Sequence, residues 1–322
     1  MTIIKMVIYM IVRLGYVSLS KTLENITPSK TITYTNYLKQ PDIKKIENLI
    51  KQNLNNLSKI IDYNIKNDIH FYRITSNLIP LGTHKDVQFD YINKFQKEYN
   101  QISSKIKKHH MRVDFHPDQY TVLNSTKKEV IENTFQILKH HYNLSKALKI
   151  NPPVIIVHVG SNTFGKKNSL TRFINNFNKL PNNIKKAIVV ENDDKIFNIE
   201  DVLDLTTKLK IPFVLDYHHH ICNNDGLNID DYLEKIFNTW TLIRPKIHFS
   251  SPKSKLKKEF RTHHEYINVD EFITFIEKIK KYNIDVDIML EAKGKDEALF
   301  RLVRQLKYKT NYHFIDETSF EV

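Results

Sequence analysis

Pro153–Val159 reads PVIIVHV, a strand-length run of β-branched residues that ends at His158-Val159-Gly160. Runs of the same kind recur on both sides of it. Downstream lie KAIVVE at 186–191, PFVLD at 212–216, PKIHF at 245–249 and DVDIMLE at 285–291. Upstream lie MRVDF at 111–115 and IHFYRI at 69–74, and Val7–Tyr16 reads as a first buried strand. Between these runs the spacing changes to that of helices. The clearest case is 43–65, where Ile43, Ile46, Leu49, Ile50, Leu54, Leu57, Ile60, Ile61 and Ile65 recur by threes and fours. Further helical stretches fall near 90–107, 127–148, 168–179, 198–209, 229–240, 269–282 and 295–307. Strands alternating with helices predict parallel βαβ units, and eight such units predict one closed (β/α)8 TIM barrel over residues 1–322. Residues 1–9 read as an N-terminal extension and 309–322 as a C-terminal tail. No linker, low-complexity tract or composition shift marks a second domain.

The chain has 322 residues, with 49 Lys+Arg against 36 Asp+Glu, for a net charge of +13. That balance points to a polyanionic partner, nucleic acid first and an anionic membrane surface second. The abundance of Asn, Lys and Ile beside only six Gly also fits an AT-rich genome, which supplies part of the lysine excess. The apolar start, Met1–Val12, is too short to span a bilayer, and no small-residue cleavage site follows it. No other segment reaches membrane length. A single cysteine, Cys222, excludes a disulfide framework and any cysteine-based zinc module, and it suits a reducing intracellular compartment.

In a parallel barrel the loops leaving the C-terminal ends of the strands carry the chemistry. Strand one exits at Tyr16; strand two reaches Arg73, with His84 in the loop beyond. The next exits are His116-Pro117-Asp118-Gln119-Tyr120, His158-Val159-Gly160, Glu191-Asn192-Asp193-Asp194 and Asp216-Tyr217-His218-His219-His220. Strand seven carries Lys246 and His248, and strand eight ends in Glu291-Ala292-Lys293-Gly294-Lys295. One histidine at a strand end is more often a hydrogen-bonded structural residue, and one carboxylate there is often a helix cap. Six consecutive strands delivering His, Asp or Glu to one rim form a different pattern. Converging buried carboxylates without counter-charge cost several kcal/mol each, and divalent ions remove that cost. Imidazole and carboxylate without thiolate suit Zn²⁺, Mn²⁺ or Fe²⁺, and there are donors enough for two or three ions. A basic protein with such a site reads first as a phosphodiesterase acting on nucleic acid.

These residues carry a resemblance to the ultraviolet damage endonuclease family, a branch of the endonuclease IV-like barrels. The matching segments are Arg13-Leu14-Gly15-Tyr16, Ile79-Pro80 with His84, His116-Pro117-Asp118-Gln119-Tyr120, His158-Val159-Gly160 and Glu191-Asn192-Asp193. Asp216 with His219-His220, Pro245-Lys246-Ile247-His248, His263 with Tyr266-Ile267, and Glu291-Ala292-Lys293-Gly294-Lys295 complete the set. They run in family order from about residue 10 to 300. The resemblance implies a cluster of two or three divalent ions, manganese or zinc. His116, His158 and Glu191 look like ligands of one ion; Glu191, Asp216, His248 and Glu291 look like ligands of a second, with Glu191 bridging. His219 and His263 look like ligands of a third, His263 being preferred over its neighbour His264 on spacing to Tyr266-Ile267. Lys246 is implied as a residue that can be carboxylated to face the metals, against the simpler reading of a phosphate-contacting lysine. Glu191, Lys246, His248 and Glu291 are the implied catalytic set, and His84 is a first- or second-sphere residue.

The resemblance also implies a lesion-reading role for Tyr16, Gln119 and Tyr120, which would fill the space left by displaced bases. The chain departs from the family at Asp118, where glycine is usual, and in Val17-Ser18-Leu19-Ser20, which lacks an expected asparagine. After strand seven, Lys253, Lys255 and Lys257 with Lys258 read as a grip on backbone phosphates. The implied activity is metal-dependent nicking of duplex DNA immediately 5′ of ultraviolet photoproducts, leaving 3′-hydroxyl and 5′-phosphate ends. The implied partner is damaged double-stranded DNA, met by a monomer without an obligate protein partner. The alternatives are an abasic-site endonuclease of the same fold, a metal-dependent sugar isomerase and an inactive damage-binding protein. The +13 charge and the Gln119-Tyr120 arm argue against the isomerase, and the complete ligand set argues against an inactive binder.

Overall fold

The computed structural model describes residues 9–322; most of the proposed N-terminal extension and the start of the Val7–Tyr16 run lie outside them. Eight parallel strands close into a barrel: β1 (Ile11–Val17), β2 (Phe71–Ile74), β3 (Arg112–Phe115), β4 (Ile155–His158), β5 (Ile188–Glu191), β6 (Phe213–Asp216), β7 (Lys246–Phe249) and β8 (Val286–Leu290). Each pairs with the next, and β1 pairs with both β2 and β8, which closes the barrel. Helices cover the outside. The longest is α1 (Ile43–Lys66), whose Ile46, Ile50, Leu54, Leu57, Ile60 and Ile61 are buried, as the spacing by threes and fours requires.

Alternation along the strands decides what enters the barrel. Val12, Leu14 and Tyr16 face the helical layer and belong to the main apolar core. Val17, Phe71 and Met289 pack together as an interior cluster, as do Val154, Ile156, Val189, Val214 and Trp240. Two residues beyond Ile156, Val189, Val214 and Met289 stand His158, Glu191, Asp216 and Glu291. The same parity therefore carries these four to the C-terminal mouth.

Two expectations are corrected. Residues 309–322 are not a loose tail: β9 (His313–Phe314) and β10 (Ser319–Glu321) form a hairpin, and β10 pairs antiparallel with Ile11–Arg13 of β1. β2 reaches β1 only from Gly15 onward, so the lower half of β1 has an unpaired edge that β10 satisfies. The predicted helix at 229–240 is a 3-10 turn, Ile229–Asp231, followed by the short helix Leu233–Phe237. Its end is diverted because Trp240 packs into the barrel and donates its indole N–H to the Phe213 carbonyl at 2.7 Å.

The barrel floor is closed by charge. Asp287 is fully buried and receives two hydrogen bonds from Arg13 (2.7 and 2.9 Å) and one from Arg112 (2.7 Å), with Arg244 3.8 Å away. Removing one partner of such a buried network leaves the others uncompensated. Asp287→Ala is expected to lower the unfolding free energy by about 3–5 kcal/mol, measured by urea denaturation.

Candidate active site

Glu191 is the hub of the mouth. It closes β5, is buried, and is approached from both sides by imidazoles. Nε2 of His116 and of His158 lie 3.0 and 3.7 Å from Oε2. Nδ1 of His248 and of His219 lie 2.9 and 3.5 Å from Oε1. The outer members extend the set. Asp216 Oδ2 lies 3.6 Å from His219 Nδ1, Glu291 Oε1 lies 3.3 Å from His248 Nδ1, and Glu291 Oε2 lies 4.0 Å from His263 Nδ1. The eight residues expected as metal ligands are thus brought to one place. His264 is turned away, its Nδ1 accepting the Tyr266 amide at 2.9 Å.

Local backbone chemistry orients these groups. Asn192, buried beside Glu191, holds Asp216 through both its amide donor and its amide acceptor, each at 2.9 Å. The Asn192 carbonyl accepts His219 Nδ1 at 2.9 Å, and the Pro117 carbonyl accepts His116 Nδ1 at 2.9 Å. A carbonyl can only accept, so both rings carry a proton on Nδ1, which leaves Nε2 as the nitrogen that a cation could take. Asp216 Oδ1 accepts the His219 amide at 2.7 Å, capping the short helix Tyr217–Cys222.

The donors fit a cation. His116, His158 and Glu191 place ligand atoms within 4.8 Å of one another, and so do Glu191, Asp216 and His248. Asp216 Oδ2, His248 Nδ1 and His158 Nδ1 are buried without hydrogen-bond partners. His116 Nε2 stands 3.0 Å from a Glu191 carboxylate oxygen, a contact that needs a positive charge between the two atoms, a proton or a metal ion. Protonation reflects the same crowding. Burial pushes the Asp216 carboxyl well above its ordinary range, and the charges of Glu191 and Glu291 add to it. Burial opposes ionisation of Glu191 too, but His248, His158 and a hydrogen bond from His116 outweigh it and hold that carboxyl well below.

Two charged residues at this level carried no assigned role in the sequence. Arg73 Nη1 donates to Glu291 Oε1 at 2.6 Å, and its Nη2 donates to His248 Nε2 at 2.6 Å. Asp114 Oδ2 accepts Lys246 Nζ at 2.5 Å, both side chains being fully buried. The available signal was a charged residue inside an otherwise apolar strand, with Asp114 two positions before His116. Lys246 stands one barrel layer below His248 and bonds Asp114. Burial lowers its amine to about 7, with Arg73 adding to that effect and Asp114 opposing it.

Around the mouth, Gln119 and Tyr120 are exposed, Tyr120 by 71%. Asp118 Oδ1 accepts the Tyr120 amide at 2.9 Å, so the residue that departs from the family pattern fixes the turn. Lys253, Lys255 and Lys257 are exposed on the loop after β7, with Lys253 paired to Glu259 at 2.8 Å. The lesion-reading expectation for Tyr16 is corrected. Its parity sends it into the helical layer, where it is 0% exposed and donates to Asn64 Oδ1 at 2.8 Å. His84 packs face to face on Tyr34, ring centroids 3.8 Å apart, and accepts the Asp86 amide; neither partner belongs to the cluster.

A parallel barrel with an imidazole–carboxylate pocket at its C-terminal mouth defines the class. The solved endonuclease IV of Thermus thermophilus shares the fold, with a TM-score of 0.57 at 13% identity over 92% of this chain and all of that one. The model of the UV-endonuclease UvdE family matches residues 12–320, and the chain belongs to that family. It is 41% identical to the UV DNA damage endonuclease of Bacillus cereus (strain G9842), covering 92% of this chain and 95% of the relative. A relative of the same description from Bacillus anthracis is also 41% identical. The crystal structure of SacUVDE superposes with a TM-score of 0.84 at 35% identity, covering 92% of this chain and 98% of that one.

Burial pulls the His219 imidazole down, but Asp216, Glu191 and Glu291 outweigh it and raise it to about 9. Below that pH the metal-free protein holds a proton that a cation must expel. Adding Zn²⁺ at pH 7.5 is expected to release protons, read with an indicator dye in weak buffer. His219→Gln should release about one fewer per chain, and the difference should vanish as pH rises through 9.

Proposed function

We propose that this protein is a metal-dependent DNA-repair endonuclease that nicks duplex DNA immediately 5′ of ultraviolet photoproducts, leaving 3′-hydroxyl and 5′-phosphate ends. The observation that carries this reading is Glu191, a buried carboxylate approached by four imidazoles at the mouth of a barrel of the UV-endonuclease family. His116, His158, Glu191, Asp216, His219, His248, His263 and Glu291 would hold two or three divalent ions, manganese or zinc. When bound, such ions supply a water of lowered pKa and neutralise charge developing on the phosphate.

The chain's own residues prepare that site. The Asn192 and Pro117 carbonyls fix the protons of His219 and His116 on Nδ1, leaving Nε2 as donor atoms. Arg73 fixes Glu291 and His248 from behind. Lys246, with an amine near neutrality, holds Asp114 beneath the cluster, and its neutral form is the one that carboxylation requires. The exposed Gln119 and Tyr120 would enter a distorted duplex, and the lysines after β7 would supply contacts to backbone phosphates without reading sequence. No helix among the described residues is long and apolar enough to cross a membrane. The reading takes the protein as an intracellular monomer acting on DNA alone.

Metal-loaded protein should nick duplex carrying cyclobutane dimers and leave intact duplex whole. Equal nicking of both, or preference for an abasic-site duplex, would overturn the lesion assignment. Glu191→Gln is expected to lower the nicking rate by roughly a thousandfold or more while damaged-duplex affinity changes little. A separate outcome concerns the loop after β7. Replacing Lys253, Lys255 and Lys257 by alanine should weaken binding to damaged and intact duplex alike. The slope of log affinity against log salt should fall by about 0.9 for each phosphate that is no longer neutralised, measured by fluorescence anisotropy.

A further inference from the structure

Phe164, in the loop after β4, is 76% exposed and has φ 64°. Two costs meet at this residue. An exposed phenyl ring gains nothing from burial, and the left-handed backbone is unfavourable for a bulky side chain. Among the described residues the ring belongs to no apolar cluster and stacks on no other aromatic group. Strain of this kind persists where surroundings over-determine it, and such sites are commonly functional.

The surroundings do over-determine it. The Gly165 amide donates to the Asn162 carbonyl at 3.0 Å, and Asn168 Nδ2 donates to the Phe164 carbonyl at 2.8 Å. Arg172 ties Thr163 to the neighbouring loop, donating to the Thr163 carbonyl at 2.5 Å and to the Asn124 carbonyl at 2.8 Å. Asn124 closes the link from its side: its amide donates to the Ser161 carbonyl at 2.7 Å, and its oxygen accepts the Ser161 amide at 2.9 Å. At Gly160, φ 110°, a Cβ would stand 2.5 Å from Val122 and 2.6 Å from Asn124. Only glycine allows the two loops this close. Asn124 lies four residues after Tyr120, the exposed aromatic of the β3 loop. The two loops are therefore tied into one platform on the C-terminal rim, carrying two exposed aromatic rings, with the exposed Lys167 three residues after the second.

Resting on the proposed action on duplex DNA, we infer that Phe164 is a second DNA-stacking side chain, receiving an unstacked base beside the lesion while Tyr120 fills the gap in the duplex. Base–aromatic stacking is tolerant of sequence because every base has a flat face, and it rewards a ring already held in place. It is also selective for damage, since a distorted step costs less to open.

The test compares the full metal-loaded protein with Phe164→Ala, Phe164→Trp and Phe164→Gly. The substrates are a duplex bearing one thymine dimer and the undamaged duplex, each with 2-aminopurine next to the dimer position. Phe164→Ala is expected to raise KM for the damaged duplex on the order of tenfold with kcat little changed. It should also remove the 2-aminopurine signal in the stopped-flow phase that precedes nicking, and Phe164→Trp should restore both. Phe164→Gly should keep or raise Tm, because glycine relieves the left-handed backbone. An unchanged KM and 2-aminopurine signal in Phe164→Ala would overturn the inference while native discrimination stands, as would a lower Tm in that variant, which would mark a packing role. Native protein that fails to distinguish the two duplexes would instead overturn the reading on which the inference rests.

Discussion

A carboxylate sealed from water inside a protein has to be compensated, and Glu191 imposes that demand on the rest of the barrel. Its four imidazole neighbours are the first answer. A chain of buried charges running from the mouth of the barrel to its floor is the second. Arg73 touches Glu291 and approaches Asp114 at 3.8 Å, and Asp114 bonds Lys246. Lys246 and Arg112 both lie over the Phe71 ring, and Arg112 bonds Asp287 at the floor. A barrel filled this way exchanges part of its apolar packing for electrostatics. Each link is rigid because its loss strands a neighbouring charge in a dry interior.

The same constraint separates two kinds of work at the mouth. Donors at strand ends cannot move, because adjacent strands hold them in register: His158 pairs with Glu191, and Asp216 with His248. The loops beyond lie outside that register, and they carry the exposed groups: Gln119 and Tyr120 after β3, Phe164 after β4 and the lysines after β7. Precision needed for bond cleavage sits on strands. The groups proposed to meet DNA sit on loops, two of which are tied to one another by Asn124 and Arg172.

Legibility in the sequence follows the strength of the local signal. The eight strands and α1 are readable because short β-branched runs and a threefold–fourfold spacing each have one structural solution. The rim residues are readable because a barrel puts every strand end on one face. Tyr16 is misplaced by such a reading because a strand exit does not reveal which side of the sheet a residue occupies, and one position changes it. Arg73 and Asp114 escape it because a charge inside a strand has no meaning until the partner strand is known. The 309–322 segment resembles a tail because its hairpin is stabilised by the open lower edge of β1, some 300 residues away in sequence.

By itself the sequence determined the alternation of strand and helix, the single cysteine, the basic balance and which His, Asp and Glu residues stand at the mouth. These depend on residue type and short-range spacing alone. The tertiary structure decided the rest. It chose which face Tyr16 takes, which of His263 and His264 approaches Glu291, how Arg73 and Lys246 share the buried carboxylates, and how Tyr120 and Phe164 come to stand on one platform. Each of those outcomes depends on contacts between distant segments, whose distances and dielectric surroundings come into being only when the barrel closes.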